Sequence, residues 1–334
     1  MRHGGDLAQA SRQYGFTERD WLDLSTGINP RPWPGAAALG GPQLELDRLP
    51  SSASLEGLLA AARRAYGVPP GLSIAAAPGS ESIIRALPRI VPGPAALAAT
   101  SYGSYAEAWL QAGSCLDTAE APEQAARCPE MTLIQVNPNN PDGRTLPTTT
   151  LLSLARSRRG GAHLIVDEAF AEGEDGVSIV PHLAGGDPVL VLKSFGKFFG
   201  LPGLRLGFAI GPPALLERLG AQFGDWPASG PALVVGRRAL GDAGWQHEAR
   251  SWLREQSRRL DAALTAAGLA VVGGTSLFRL VRHPEAAAIH QGLARQAIWT
   301  RIWPDAPELI RFGLPPHEAG LTRLRQALAD LKVG

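Results

Sequence analysis

Apolar positions recur at helical spacing over Leu7–Tyr14 and again over Leu55–Tyr66, where Gly67 stops the pattern. Between them the chain is irregular. Trp21-Leu22-Asp23-Leu24-Ser25 runs into Gly27-Ile28-Asn29-Pro30, and the Pro/Gly cluster from Pro32 to Gly41 reads as loop. From residue 73 onward, short apolar runs alternate with helical patterns. Ser73–Ala77, Ala95–Ala99, Thr132–Val136, His163–Val166, Val189–Leu192 and Leu206–Ile210 predict strands. Glu81–Arg89, Tyr105–Ala112 and Thr149–Arg158 predict helices between them. This alternation indicates α/β architecture with a largely parallel sheet, in which ligands bind beyond the carboxyl ends of the strands. The last third changes character. Long helical patterns at Pro231–Leu240 and Trp245–Ala267 precede short strands near Leu277–Val281, Ile298–Ile302 and Leu309–Phe312. A helix at His317–Leu331 closes a smaller α+β domain, with the seam near Gly211-Pro212-Pro213.

Length and charge narrow the function classes. A chain of 334 residues accommodates about two domains. With 32 basic and 31 acidic residues it carries no broad footprint for nucleic acid or an anionic membrane. Cys115 and Cys128 are too few for a zinc cluster and read as free thiols in a reducing compartment. The opening Met1-Arg2-His3-Gly4-Gly5-Asp6 has no apolar core of a signal peptide, and no run of about 18 apolar residues exists, so the expected location is cytoplasmic. Among the basic residues only Lys193, Lys197 and Lys332 are lysines, which leaves few candidates for amine chemistry.

One of those lysines has unusual company. Residues 194–207 read Ser-Phe-Gly-Lys-Phe-Phe-Gly-Leu-Pro-Gly-Leu-Arg-Leu-Gly and follow the strand Val189–Leu192. Gly196, Gly200 and Gly203 permit close backbone approach to a ligand. Lys197 lies between Gly196 and Phe198-Phe199, where desolvation makes a better nucleophile. Ser194 and Arg205 can both donate to a phosphate. A lysine amine beside phosphate donors is what a Schiff base with pyridoxal phosphate requires.

On these residues the chain resembles the fold-type I pyridoxal-phosphate enzymes of the class I/II aminotransferase superfamily. The carrying pattern is Ser-x-x-Lys followed by Gly-Leu-x-Gly-x-Arg-x-Gly, and Lys193 does not fit it. Further segments match in order. The resemblance implies that Asp167, in Val166-Asp167-Glu168-Ala169-Phe170, pairs with the pyridinium nitrogen. It implies that Asn140, in Asn140-Pro141-Asp142-Gly143, bonds the cofactor's phenolic oxygen. Ser80 and Glu81 follow Pro78-Gly79 at a helix start, where their amides can face the phosphate. Tyr102 matches the aromatic that stacks on the ring, and Arg311, in Leu309-Ile310-Arg311-Phe312-Gly313, the clamp on the substrate carboxylate. Arg301 aligns with a second arginine for the substrate's phosphate or carboxylate. Two positions depart: Phe170 and Leu49 stand where many relatives have tyrosines.

The resemblance implies a fold-type I PLP-dependent transferase, with a large domain on a mostly parallel seven-stranded sheet and a smaller α+β C-terminal domain. The expected domains are an arm at 1–40 contributing to the small domain and active site, a PLP-binding domain at 41–213 and a small domain at 214–334. It also implies a homodimer and no metal. The opening His3-Gly4-Gly5, with Asp23-Leu24-Ser25-Thr26-Gly27, is similar to the threonine-phosphate decarboxylases of cobalamin biosynthesis. This implies substrate contacts by His3, Gly4 and Gly27, and decarboxylation of L-threonine O-3-phosphate to (R)-1-amino-2-propanol O-2-phosphate. An aminotransferase acting on a phosphorylated amino acid such as histidinol phosphate is the alternative, and it would need a keto-acid acceptor. A non-catalytic binding protein on this fold is opposed by the intact Lys197, Asp167 and Asn140. A nucleotide-binding reading is opposed by the lack of Gly-x-Gly-x-x-Gly and of a Walker lysine.

Overall fold

Apolar runs bounded by turn residues become strands. In the computed structural model the described residues are 4–37, 39, 44, 46–91, 93–98, 100–119 and 128–331. After a two-residue strand, β1 (Leu22–Asp23), come β2 (Ser73–Ala77), β3 (Ala95–Ala98), β4 (Leu116–Ala119), β5 (Thr132–Val136), β6 (Leu164–Asp167), β7 (Val189–Ser194) and β8 (Gly207–Gly211). The last seven form one sheet in the order β2-β8-β7-β6-β5-β3-β4. Pairings from β4 across to β7 are parallel, while β8 is antiparallel to both β7 and β2. One reversed strand therefore interrupts an otherwise parallel sheet. The expected α/β class is present, with helices Ser80–Ile90, Ser104–Gln111 and Thr148–Arg156 between successive strands.

Every residue of β5 and β6 is buried, as is β7 up to Lys193. That burial is why these strands read as continuous apolar runs rather than alternating ones. Ile134, Ile165, Leu190 and Leu192 from the sheet meet Ile83, Leu87 and Trp109 from two helices in one core cluster. β4 was not expected. Leu116-Asp117-Thr118-Ala119 has no apolar run of its own and becomes a strand by pairing with β3 at the sheet edge. The helix predicted from Leu55 begins earlier, at Ser52, because the Ser51 hydroxyl accepts the Ser54 N–H at 3.1 Å and caps it.

Five further strands complete the chain: β9 (Ala270–Thr275), β10 (Phe278–Arg282), β11 (Ile298–Trp299), β12 (Arg301–Trp303) and β13 (Ala306–Gly313). Four of them form an antiparallel sheet in the order β12-β13-β10-β9, and β11 pairs in parallel with β1. The chain divides into two compact units. One holds Met1–Arg31, Pro141–Gly143 and His247–Gly334, and the other Pro32–Asn140 and Arg144–Gln246. Residues 214–246, read above as part of the small domain, thus lie in the sheet's unit. The reason is packing: Gly236 of helix Gly230–Gly241 has no room for a Cβ against Leu58 and Leu206.

Of the arm expected at 1–40, the part up to Arg31 belongs to the other unit, where aromatic rings hold it, and the part from Pro32 on belongs to the sheet's unit. Trp21 makes edge contacts with Tyr14, Phe16 and Trp299 at centroid distances of 6.0, 5.4 and 5.4 Å. Its indole N–H donates to Ser11 Oγ at 3.0 Å. Among the described residues, no helix is long and apolar enough to cross a membrane.

Candidate active site

The strands β2, β3, β5, β6 and β7 all end at one edge of the sheet, and β8, being reversed, begins there. Asp167 is the last residue of β6 and Ser194 the last of β7. Ser80 follows β2, Tyr102 follows β3, Asn140 follows β5, and Arg205 precedes β8. A cavity at this edge is lined by Ser80, Tyr102, Asn140, Asp167, Ser194 and Lys197, with Phe170 beside them. Lys197 sits in a four-residue helical turn, Phe195–Phe198. Its amine is 5.5 Å from the Phe170 ring centre. The turn rests on packed rings: Phe195 stacks on Phe199 at 4.3 Å, and Trp245 stacks on Phe199 at 5.7 Å. Such packing holds the lysine's backbone on a rigid base.

Asp167 is buried, and burial pushes its carboxyl up from the ordinary carboxylate range. Hydrogen bonds oppose that rise. The Tyr105 hydroxyl donates to Oδ2 at 2.9 Å and the Ala169 N–H to Oδ1 at 3.0 Å. Tyr105 was not foreseen as a site residue, although it lies one helical turn after Tyr102. Lys193 has a different fate from Lys197. It is buried and pairs with Glu168 at 2.5 Å, and Glu168 also accepts the Ser178 hydroxyl and the Ile179 N–H. Burial also raises the Tyr102 phenol to about 12, so it stays protonated at neutral pH. Its hydroxyl donates to Glu81 Oε2 at 3.3 Å.

The third feature is an anion cradle. Helix Ser80–Ile90 starts at Gly79 without a side-chain cap, which leaves its first amides for another acceptor. The Arg205 guanidinium lies against Gly79, where a Cβ would stand 2.7 Å from Nη2, and Gly79 has φ +85°. Gly207 on β8 abuts Ser80 N, so a side chain there would push into the same amides. The Glu81 carboxylate is taken up by Arg85 at 2.9 Å and by the Tyr102 hydroxyl. Only its amide remains for the cradle.

In the other unit, Arg301 on β12 and Arg311 on β13 are direct cross-strand partners. Both are buried. Such partners share a face with Cβ atoms about 5 Å apart, where like charges repel unless an anion intervenes. Trp303 faces both guanidiniums, at 5.4 Å from Arg301 and 5.8 Å from Arg311. Arg311 also donates to the Ser25 carbonyl at 3.1 Å and stands over Phe278 at 4.8 Å. The arm reaches the same spot. Gly4 lies so close to the Ser25 carbonyl that no side chain would fit, and the Gly5 N–H donates to Ser25 Oγ at 2.8 Å. Gly27 is buried two residues further on. His3 lies outside the described residues. Leu49, in the sheet's unit, is 66% exposed.

Residues 73–328 match the family model of aminotransferase class I and II. The chain is 39% identical over 334 residues to a threonine-phosphate decarboxylase of Sinorhizobium sp, covering 99% of this chain and 98% of that one. It is 40% identical over 335 residues to the threonine-phosphate decarboxylase of Pseudomonas aeruginosa, again with 99% and 98% covered. Among solved structures, the histidinol-phosphate aminotransferase of Sinorhizobium meliloti in complex with pyridoxal-5'-phosphate shares the fold. Its TM-score is 0.83 at 19% identity, covering 98% of this chain and 94% of that one.

Proposed function

The chain belongs to the aminotransferase class I and II family, and on that premise we propose a pyridoxal-phosphate-dependent lyase that decarboxylates L-threonine O-3-phosphate. The product is (R)-1-amino-2-propanol O-2-phosphate, which the resemblance assigns to cobalamin biosynthesis. The observation that carries this reading is likeness to two threonine-phosphate decarboxylases along 99% of the chain.

The cavity fits pyridoxal phosphate on its own chemistry. The uncapped amides at Ser80, the Arg205 guanidinium and the Ser194 hydroxyl suit a phosphate, and Gly79 and Gly207 leave the space. Asp167 suits a protonated ring nitrogen, Asn140 the phenolic oxygen and Tyr102 the ring face. When bound, the cofactor accepts the electron pair released as the bond from Cα to the carboxylate breaks. Asp167 keeps the ring nitrogen protonated for that purpose. Lys197 Nζ would hold the cofactor and, once the carboxylate has left as carbon dioxide, would supply the proton that takes its place at Cα. Phe170 offers no hydroxyl, so Asn140 is the residue that bonds the phenolic oxygen. Arg311 takes the substrate carboxylate and Arg301 the phosphate, with His3, Gly4 and Gly27 of the arm assisting. The Trp303 ring lies close to both guanidiniums, 5.4 Å from Arg301 and 5.8 Å from Arg311.

Incubation with O-phospho-L-threonine tests the reaction. Carbon dioxide and aminopropanol phosphate are expected without any keto acid. Product formation that depends on added 2-oxoglutarate would move the reading to an aminotransferase. The substrate clamp has its own test. Arg311→Lys keeps the charge and loses the planar fork, so a bidentate pair becomes a point contact. The loss is one charge-assisted hydrogen bond of about 1.5–3 kcal/mol, or about tenfold to a hundredfold in kcat/KM. Steady-state kinetics should show that loss with cofactor content unchanged.

We further propose that the enzyme acts in the cytoplasm as a homodimer. Leu46, Leu49 and Trp226 are 69%, 66% and 53% exposed, which is unusual for large apolar side chains in one unit. Trp226 also lines a groove with Pro50, Leu55, Pro227 and Leu233. Trp226→Glu should shift sedimentation toward a monomer, because an aromatic anchor is exchanged for a charge. A wild-type protein that sediments as a fully active monomer at assay concentration would refute the dimer.

A further inference from the structure

Tyr105 has no part in the chemistry above, yet it touches the carboxylate on which that chemistry depends. It is fully buried in the core cluster with Ile134 and Ile165. It stands in the first turn of helix Ser104–Gln111, so its ring is fixed by the helix and the packing together. Its hydroxyl and the Ala169 N–H each take one oxygen of Asp167, at 2.9 and 3.0 Å. A carboxylate with a donor on each oxygen is fixed in plane and direction. Glu168, the neighbouring acid, is turned to Lys193 and Ser178. Burial raises the Tyr105 phenol well above its usual range, so it remains a neutral donor.

We propose that Tyr105 is a positioning residue for the cofactor's ring nitrogen, acting through Asp167. A hydrogen bond to the ionised form favours that form. In a buried site it offsets the desolvation that would otherwise protonate Asp167 and remove its charge. The inference rests on the reading of Asp167 as the partner of the ring nitrogen.

Tyr105→Phe removes only the hydroxyl. Apoprotein of the wild type and the variant would be titrated with pyridoxal phosphate and with its 1-deaza analogue, in which C–H replaces the ring nitrogen. Binding is read from tryptophan fluorescence. The variant should bind pyridoxal phosphate about tenfold to a hundredfold more weakly, the range of one hydrogen bond to a charge. It should bind the deaza analogue as well as the wild type does, and its far-ultraviolet circular dichroism should match that of the wild type, so the fold is kept. In an Asp167→Asn background, Tyr105→Phe should cause no further loss of affinity. Equal weakening toward both ligands would overturn the inference, since the hydroxyl would then shape the cavity rather than serve the nitrogen. Unchanged affinity for both would overturn it too. A wild-type protein that binds neither ligand would overturn the cofactor reading, and this inference with it.

Discussion

Lys197→Ala should lower decarboxylation of O-phospho-L-threonine by about a thousandfold or more. One amine is asked both to carry the cofactor and to return a proton to Cα. Positioned proton transfer alone contributes about 10²–10⁴-fold, and loss of the covalent attachment adds to it. Among the described residues no other lysine can take over. Lys193 is 2% exposed and held at 2.5 Å by Glu168. Added methylamine should restore part of the rate, as it supplies the missing amine without the tether. Borohydride reduction of the loaded wild type, followed by peptide mapping, should place the label on Lys197. Label on Lys193 or Lys332 would sink the assignment.

Asp167→Asn should be nearly as damaging, with kcat reduced by about 10²–10³-fold. Removing one member of a buried charge pair costs about 3–5 kcal/mol, and each 1.36 kcal/mol is tenfold in rate. The amide also misfits the donors around it. Tyr105 O–H and Ala169 N–H both donate, one to each oxygen, and asparagine offers one acceptor and one NH₂. With its NH₂ toward the Ala169 N–H the amide sets donor against donor, and in the other orientation the Tyr105 hydroxyl must change from donor to acceptor. Asp167→Glu should not rescue the rate, because the position is 3% exposed and an added methylene has no room. Single-turnover measurements at saturating cofactor would separate the chemical loss from weakened binding. A kcat within tenfold of wild type would show that the ring nitrogen needs no charged partner here.

Sequence reading reached the fold where burial is complete. β5, β6 and β7 are apolar along almost their whole length, so they stood out as strands, and their carboxyl ends pointed to Asn140, Asp167 and Ser194. It was weaker at the margins. β4 and β9 have mixed composition and exist because a neighbour pairs with them. The placement of residues 214–246 was also hidden, because it depends on how closely Gly236 packs on Leu58 and Leu206, which only the fold reveals.

Within the site, the residues with local motifs were legible and their partners were not. Lys197 and Arg205 stand in a glycine-rich run that announces itself. Tyr105 reaches Asp167 across 62 positions of chain, and no spacing rule connects them. The pairing of Arg301 with Arg311 follows from the β12–β13 register, which shifts by a bulge between Ile302 and Trp303. A separation of ten residues in the sequence does not reveal that the two side chains share a face.

The parallel pairing of β1 with β11 has a consequence for synthesis on the ribosome. Leu22 and Asp23 take their strand partners from Ile298 and Trp299, and Trp21 packs on Trp299. Nearly the whole chain must be translated before these partners exist. The seven-stranded sheet, whose strands lie between residues 73 and 211, is finished much earlier. A nascent chain stalled before residue 298 therefore presents Trp21, Leu22 and Leu24 to solvent, and these are the segments on which a chaperone would first be needed. Synthesis through Trp299, rather than formation of the sheet, is then the step after which Leu22 and Asp23 find their strand partners.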